Sequence, residues 1–281
     1  MVKNISAKLI TQTVADLSIK ANTVLRGDIL RALEDACKKE DDKRAKKIFK
    51  ELLENARIAN DKQIAICQDT GMPLVFVELG QEARIGGGGL KDAINKGIAL
   101  GYKKGRLRAS VVSDPLGRST PGYSPAIIHI DITGGNKLKL TVSPKGFGCE
   151  NKSQLKMFNP TGGIDEIIKF IVEAVASAGP DACPPYVLGI GIGGTADFAC
   201  FLAKKALLRN ISIHNTQYAI RKLEHDLLYR INNLNIGPMG LGGRTTALGV
   251  SIEAYPTHIA GLPVCVNISC HALRMASALL I

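Results

Sequence analysis

"AIIHIDITGGNKLKLTV", residues 126–142, is the stretch on which the reading of this chain as a fold turns. Apolar and polar side chains alternate on both sides of Gly134-Gly135-Asn136, the period of half-buried strands around a turn that glycine permits. The stretch predicts an antiparallel β-hairpin with one wet face, with His129 and Asp131 turned to water and given no catalytic role.

Upstream, apolar residues recur with helical spacing at Ile29, Leu30, Leu33 and Cys37, and again at Ala45, Ile48, Phe49, Leu52, Leu53 and Ala56. "PLVFVELG" (73–80), bounded by Pro73 and Gly80, reads as a buried strand. Downstream, Ile164 to Ala176 is an amphipathic helix, and "YVLGIGIGG" (186–194) is a strand running into a helix that the Thr195 hydroxyl can cap. A helix over 216–234, strands over 247–254 and 263–268, and a terminal helix ending in Leu279-Leu280-Ile281 complete the prediction. That apolar chain end points to burial against something else. The class is α+β (mixed α/β): one domain over 1–281, with a helical N-terminal part of about 1–62 packed with mixed β-sheets and a division into two lobes left open.

The chain has 281 residues, 46% of them hydrophobic and 22% charged, enough to bury a real core. With no leader-like N-terminus and no long apolar run, the expectation is a cytoplasmic protein that does not enter a membrane. The net charge of +11 suits an anionic substrate or an acidic partner. Its densest run, "CKKEDDKRAKKIFKELLE" (37–54), mixes both signs as a solvated helix face does. Tryptophan is absent and no RNA-binding aromatic signature occurs, so nucleic acid is not an expected partner.

Gly189, Gly191 and Gly194 satisfy a dinucleotide-binding GxGxxG, but no carboxylate follows at the spacing a ribose contact needs. The alternative is a glycine turn approached by a cluster, an anion or a neighbouring backbone. "SPKGFGCENKS" (143–153) sets Lys145 and Lys152 around Gly146 and Gly148, either an anion-binding loop or a plain surface turn. The seven cysteines form no CxxC pair. Cys67, Cys183 and Cys270 each lie at a strand end, 116 and 87 residues apart, too far for a zinc-finger module. Three lone thiolates gathered by a fold suit an iron-sulfur cluster with one open iron, although a buried Cys is more often a small hydrophobe. His258, in the loop "YPTHIAGLP", is an acid, a base, a donor or simply a satisfied loop imidazole.

Taken in order, "CQDTGMP", "KGFGCENKS", "ACPPY" with "GIGGT", "GPMGLGGRTTALGV" and "PTHIAGLPVCVNISC" resemble the motifs of the class I, iron-sulfur-dependent fumarases and the related L-tartrate dehydratases. The resemblance covers nearly the whole chain. It implies a 4Fe-4S cluster held by Cys67, Cys183 and Cys270, with the fourth iron left for substrate. It carries Asp69 and His258 to catalytic roles, and Gln68, Arg108, Gly146 and Gly148 to substrate contacts, Arg108 pairing with a carboxylate. Because the chain stops after the third cysteine motif, it looks like an α subunit whose site a separate β subunit completes, in a higher hetero-oligomer. The expected reaction is hydration of fumarate to malate, the commoner substrate, with L-tartrate dehydration as the alternative. A dinucleotide-dependent oxidoreductase is the reading from another class. In one respect the loop departs from the family pattern: Cys149 stands where a small Ser or Ala is common, putting a fourth thiol near the site.

Overall fold

The computed structural model describes residues 3–281; Met1 and Val2, the start of the expected domain, lie outside the described residues. The chain divides into two compact units. One takes the residues up to Leu25, Asn55–Phe147 and Arg274–Ile281, and the other takes Arg26–Glu54 and Gly148–Leu273.

The first unit contains β1 (Lys3–Ser6), α1 (Ala7–Thr23), β2 (Met72–Gly80), β3 (Ala83–Gly86), α4 (Leu90–Lys104), β4 (Ile127–Thr133), β5 (Leu138–Lys145) and β10 (Ala276–Leu280). Its main sheet has the order β10-β5-β2-β4, and β1 pairs with β3 in parallel. Ile10, Val14 and Leu17 of α1 and Ile94, Ile98 and Tyr102 of α4 pack on Val75, Val77, Leu138, Leu140 and Val142 of the sheet. Burying each of the aliphatic side chains contributes about 1.5–3 kcal/mol.

Residues 126–142 do form two strands, but not a hairpin. β2 lies between them, parallel to β4 and antiparallel to β5. The glycine turn spans the end of β2, where Gly80 N–H donates to Lys137 O at 2.8 Å and Gln81 N–H to Thr133 O at 2.9 Å. The apolar run of β2 is buried on both faces, which favours a central strand with both edges bonded, while the alternation in β4 suits an edge. Asp131 faces solvent as expected, whereas His129 is half-buried and stacks on Phe76 with ring centroids 5.1 Å apart.

The expected terminal helix is instead strand β10, antiparallel to β5. Its five residues alternate, with Ala278 and Leu280 against the core while Leu279 is exposed. A run this short gains more from completing a sheet edge than from one helical turn.

The second unit contains α2 (Gly27–Lys39), α5 (Phe147–Glu150, from its second residue), β6 (Gln154–Phe158), α6 (Ile164–Ala178), β7 (Tyr186–Gly194), α7 (Ala196–Ala206), α8 (Tyr218–Asn232), β8 (Ala247–Thr257) and β9 (Leu262–Ser269). Helix α3 (Lys43–Lys62) contributes residues to both units. The sheet order is β6-β9-β7-β8. Leu188 and Ile190 of β7 join Ile171 and Val175 of α6 and Leu227 and Ile231 of α8 in one core.

The alternate residues of β7, Gly189 and Gly191, meet α7. A Cβ on Gly191 would stand 2.0 Å from Ala199 O, and one on Gly189 would stand 2.0 Å from Ala203 O. The first two glycines of the GxGxxG pattern therefore seat a helix backbone on a strand, while Gly194, φ +69°, faces the Phe198 side chain. Thr195 precedes α7, but its hydroxyl donates to the Asp197 carboxylate at 2.5 Å and makes no bond to the helix backbone. That hydroxyl is the main reason the Asp197 carboxyl lies below its usual range.

Candidate active-site loops

In the first unit the motif Cys67-Gln68-Asp69 sits in the loop between α3 and β2. Its position is fixed from both sides. Before it, Ile66 N–H donates to Asn22 O at 2.9 Å, and Ile66 O accepts from Asn55 Nδ2 at 2.9 Å. After it, Thr70 Oγ1 accepts Arg108 N–H at 3.0 Å, and the Tyr102 hydroxyl donates to Thr70 O at 3.0 Å. Tyr102 is buried, and desolvation pushes its phenol well above its ordinary value, so it stays a neutral donor.

Asp69 is the junction of the loop. Its Oδ1 accepts Gly71 N–H at 2.9 Å and its Oδ2 accepts Phe147 N–H at 2.8 Å. The second bond ties the cysteine loop to the glycine loop. A Cβ on Gly146 would stand 3.4 Å from Asp69 Oδ2, so the bare residue leaves that carboxylate edge open. The Cys67 thiol, half-buried, donates to Gln68 Oε1 at 3.4 Å, and the Gln68 side chain is exposed. Arg108 is anchored through its backbone and exposes its side chain, which has no ion pair among the described residues. Cys67, Gln68, Asp69, Arg108 and Gly146 are thus set around one loop junction. Of the two lysines of the glycine stretch, Lys145 is buried and Lys152 pairs with Asp181 at 2.8 Å.

In the second unit Cys183 and Cys270 come from adjacent loops. Cys183 has a left-handed backbone, φ +56°, and its carbonyl lies 3.2 Å from His271 Nδ1, the residue after Cys270. Met239 N–H, from the "GPMG" turn, donates to Pro184 O at 2.8 Å and holds the same loop. The Cys149 thiol is buried and donates to Ala182 O at 3.5 Å, which turns it toward the main chain beside Cys183. Tyr186, next to these thiols, has its phenol pushed up by burial first, then by Cys149 and Cys183. Gly148 belongs to this unit, with Asp181 O 3.8 Å from where its Cβ would be.

His258 is elsewhere. β8 runs parallel to β7 and β9 antiparallel to it, so Cys183 and Cys270 share one end of the sheet and His258, between β8 and β9, occupies the other. The nine residues of β7 make that separation roughly 25 Å. The His258 side chain is exposed, and its Nδ1 accepts Ala260 N–H at 3.1 Å.

Burial and placement together sort the thiols. Cys37, Cys149 and Cys265 are buried, while Cys67, Cys183, Cys270 and Cys200 are half-buried, the first three in loops and Cys200 within α7. No disulfide forms among the described residues. Half-exposed thiols with defined loop anchors are the donor type an iron-sulfur cluster requires. Among the described residues no three His, Cys, Asp or Glu side chains stand grouped as a ready-made metal site, and Cys67 belongs to the first unit while Cys183 and Cys270 belong to the second.

A family model described as fumarate hydratase (Fumerase) matches residues 11–279, which includes every loop described above. The chain belongs to the class I fumarate hydratase family. That family of hydro-lyases includes α subunits of L(+)-tartrate dehydratase among this chain's relatives. A Methanocaldococcus jannaschii protein provisionally named L(+)-tartrate dehydratase subunit alpha is 42% identical over 274 residues, covering 95% of this chain and 96% of its own. The L(+)-tartrate dehydratase subunit alpha of Escherichia coli strain K12 is 28% identical over 274 residues, covering 96% of this chain and 90% of its own. Its counterpart in Shigella sonnei shows the same identity and coverage. Among the described residues no helix is long and apolar enough to cross a membrane.

Sequence reasoning missed three residues that shape the fumarase-family loops: Tyr102, His271 and Arg274. The last two follow Cys270 closely in "CHALR", a signal overlooked because neither lies in a glycine or cysteine pattern.

Proposed function

We propose that this chain is the α subunit of a two-subunit, cytoplasmic iron-sulfur hydro-lyase that dehydrates L(+)-tartrate, completed by a β subunit in a hetero-oligomer. The observation that carries the reading is the Asp69 junction, where the Cys67 loop and the glycine loop meet beside an arginine without an ion pair among the described residues. The names of the relatives support tartrate over fumarate. The description of the matching family model keeps fumarate and malate as the second reading.

In this reading Cys67, Cys183 and Cys270 would hold a 4Fe-4S cluster, which when bound would supply Lewis-acid chemistry at the substrate hydroxyl. Arg108 grips one carboxylate through its planar fork. The Gln68 amide hydrogen-bonds a substrate hydroxyl, and the backbone of Gly146 and Gly148 lies against the carbon skeleton. Asp69 Oδ receives the proton from the carbon next to a carboxylate; its two amide bonds fix its direction and leave a lone pair on each oxygen. Loss of that proton and of hydroxide from the neighbouring carbon releases one water and leaves the enol of a 2-oxo dicarboxylate. His258, at the other end of the sheet from Cys183 and Cys270, takes no part in this reading of the reaction.

The test is co-expression with the β subunit, anaerobic assembly, and assay with L(+)-tartrate, malate and fumarate. A kcat/KM for tartrate at least about ten-fold above that for malate supports the reading. A preference for malate and fumarate would favour the second reading, and inactivity on all three would reject both.

A further inference from the structure

We propose that Arg274 is a positioning residue of this hydro-lyase site: it fixes the main chain of Asp69 and brings a positive charge to the Asp69–Gly146 junction without touching substrate. The inference rests on reading the Cys67–Asp69 loop as part of the active site.

Arg274 lies between β9 and β10 and is 3% exposed. Its Nη1 donates to Asp69 O at 2.6 Å and to Asn22 Oδ1 at 3.1 Å. Asn22 in turn accepts Ile66 N–H through its own carbonyl, so Asn22 and Arg274 together bracket Cys67 and Gln68. The arginine is itself held, its carbonyl accepting from Ser143 Oγ at 3.2 Å. Its Nη2 stands 3.3 Å from where a Cβ on Gly146 would be.

The guanidinium is more than these bonds need. It pairs with no carboxylate among the described residues, and its Nε is buried without a hydrogen-bond partner. Burying an unpaired charge is costly, and a neutral amide could bind a carbonyl and an asparagine. The surplus is a positive charge beside the loop that, in the proposed reaction, meets a dicarboxylate. Buried charge is screened little by salt, so it acts on an arriving anion without contact.

The two roles separate in Arg274→Lys, which keeps the charge but loses the fork, and Arg274→Gln, which loses both. The first readout is independent of catalysis: iodoacetamide alkylation of the cluster-free full chain, resolved by peptide mass spectrometry. Arg274→Gln is expected to raise the Cys67 rate about five-fold or more while Cys183 changes less than about two-fold. An unchanged Cys67 rate, or equal rises at Cys67 and Cys183 from general loosening, would overturn the positioning claim. The second readout is kinetics of the assembled complex on L(+)-tartrate. Arg274→Lys is expected to lower kcat about ten-fold with KM near wild type, and Arg274→Gln to raise KM about ten-fold as well. A wild-type KM in Arg274→Gln would overturn the charge claim. If the wild-type complex shows no dehydratase activity, the functional reading fails, while the alkylation result still decides the positioning claim.

Discussion

The Asp69 carboxylate accepts the main-chain N–H of Phe147 at 2.8 Å, a bond between residues 78 positions apart in sequence. A second amide, from Gly71, occupies its other oxygen. Asp69→Asn keeps one acceptor and replaces the other with an NH2 facing an amide. An unsatisfied N–H costs about 1–3 kcal/mol when buried, and less here because the Phe147 bond is exposed and the Gly71 bond part-buried. The variant is expected to melt a few degrees lower and to lose at least about a hundred-fold in kcat of the assembled enzyme, measured by calorimetry and steady-state kinetics. Wild-type kcat in a destabilised Asp69→Asn would leave Asp69 as a strut alone.

Gly191 is set by close packing. In Gly191→Ala the new methyl would meet Ala199 O, a backbone atom that moves only with α7. The expected loss is about 2–3 kcal/mol or more, read from denaturant midpoints. The same geometry predicts that NAD leaves the melting temperature unchanged, and stabilisation by NAD would revive the dinucleotide reading.

Arg26 and Asp28 form a buried pair that joins α2 to the segment after α7. Arg26 Nε donates to Asp28 Oδ1 at 3.0 Å, Nη1 donates to Leu207 O at 2.8 Å, and Ile211 N–H donates to Asp28 Oδ2 at 2.9 Å. Burial alone would raise the Asp28 carboxyl, but Arg26 and the Ile211 amide outweigh it and hold the group below its ordinary 3.8. A carboxyl lowered in the fold binds its proton more weakly there than in the unfolded chain, so its stabilisation is present above that value and lost as pH falls through the lowered one. Asp28→Asn leaves the arginine without its anion and is expected to cost about 3–5 kcal/mol at pH 7. Urea titrations at pH 7 and near pH 3 should show that gap narrowing in acid. A gap independent of pH would contradict the assignment.

The sequence carried the strands and helices far better than their partners. Alternation in 126–142 marks two strands correctly but not their faces, since Ile130 and Ile132 are exposed and β5 is buried almost throughout, and nothing local says that the doubly apolar β2 takes the place between them. The last residues read as a helix because a five-residue run cannot show its period, and pairing with β5 decides it. The candidate loop junction was legible where residues stand consecutively, as at Cys67-Gln68-Asp69. It was hidden where a single arginine, Arg274, reaches the loop from near the chain's end.

Cys149 is the thiol whose exclusion from the ligand set is open to a simple test. Buried and turned to Ala182 O, it is expected to be dispensable, so Cys149→Ser should retain iron and sulfide at the wild-type ratio. Loss of iron in that variant would make it a fourth ligand and close the iron position kept for substrate.

The most direct test of the central claim is anaerobic cluster reconstitution of wild type and of Cys67→Ser, Cys183→Ser and Cys270→Ser, counting iron and sulfide per chain. The account predicts about four of each in the wild type and loss of the cluster in every single variant. A wild type that takes up no iron, or full iron content in any of the three variants, would contradict it.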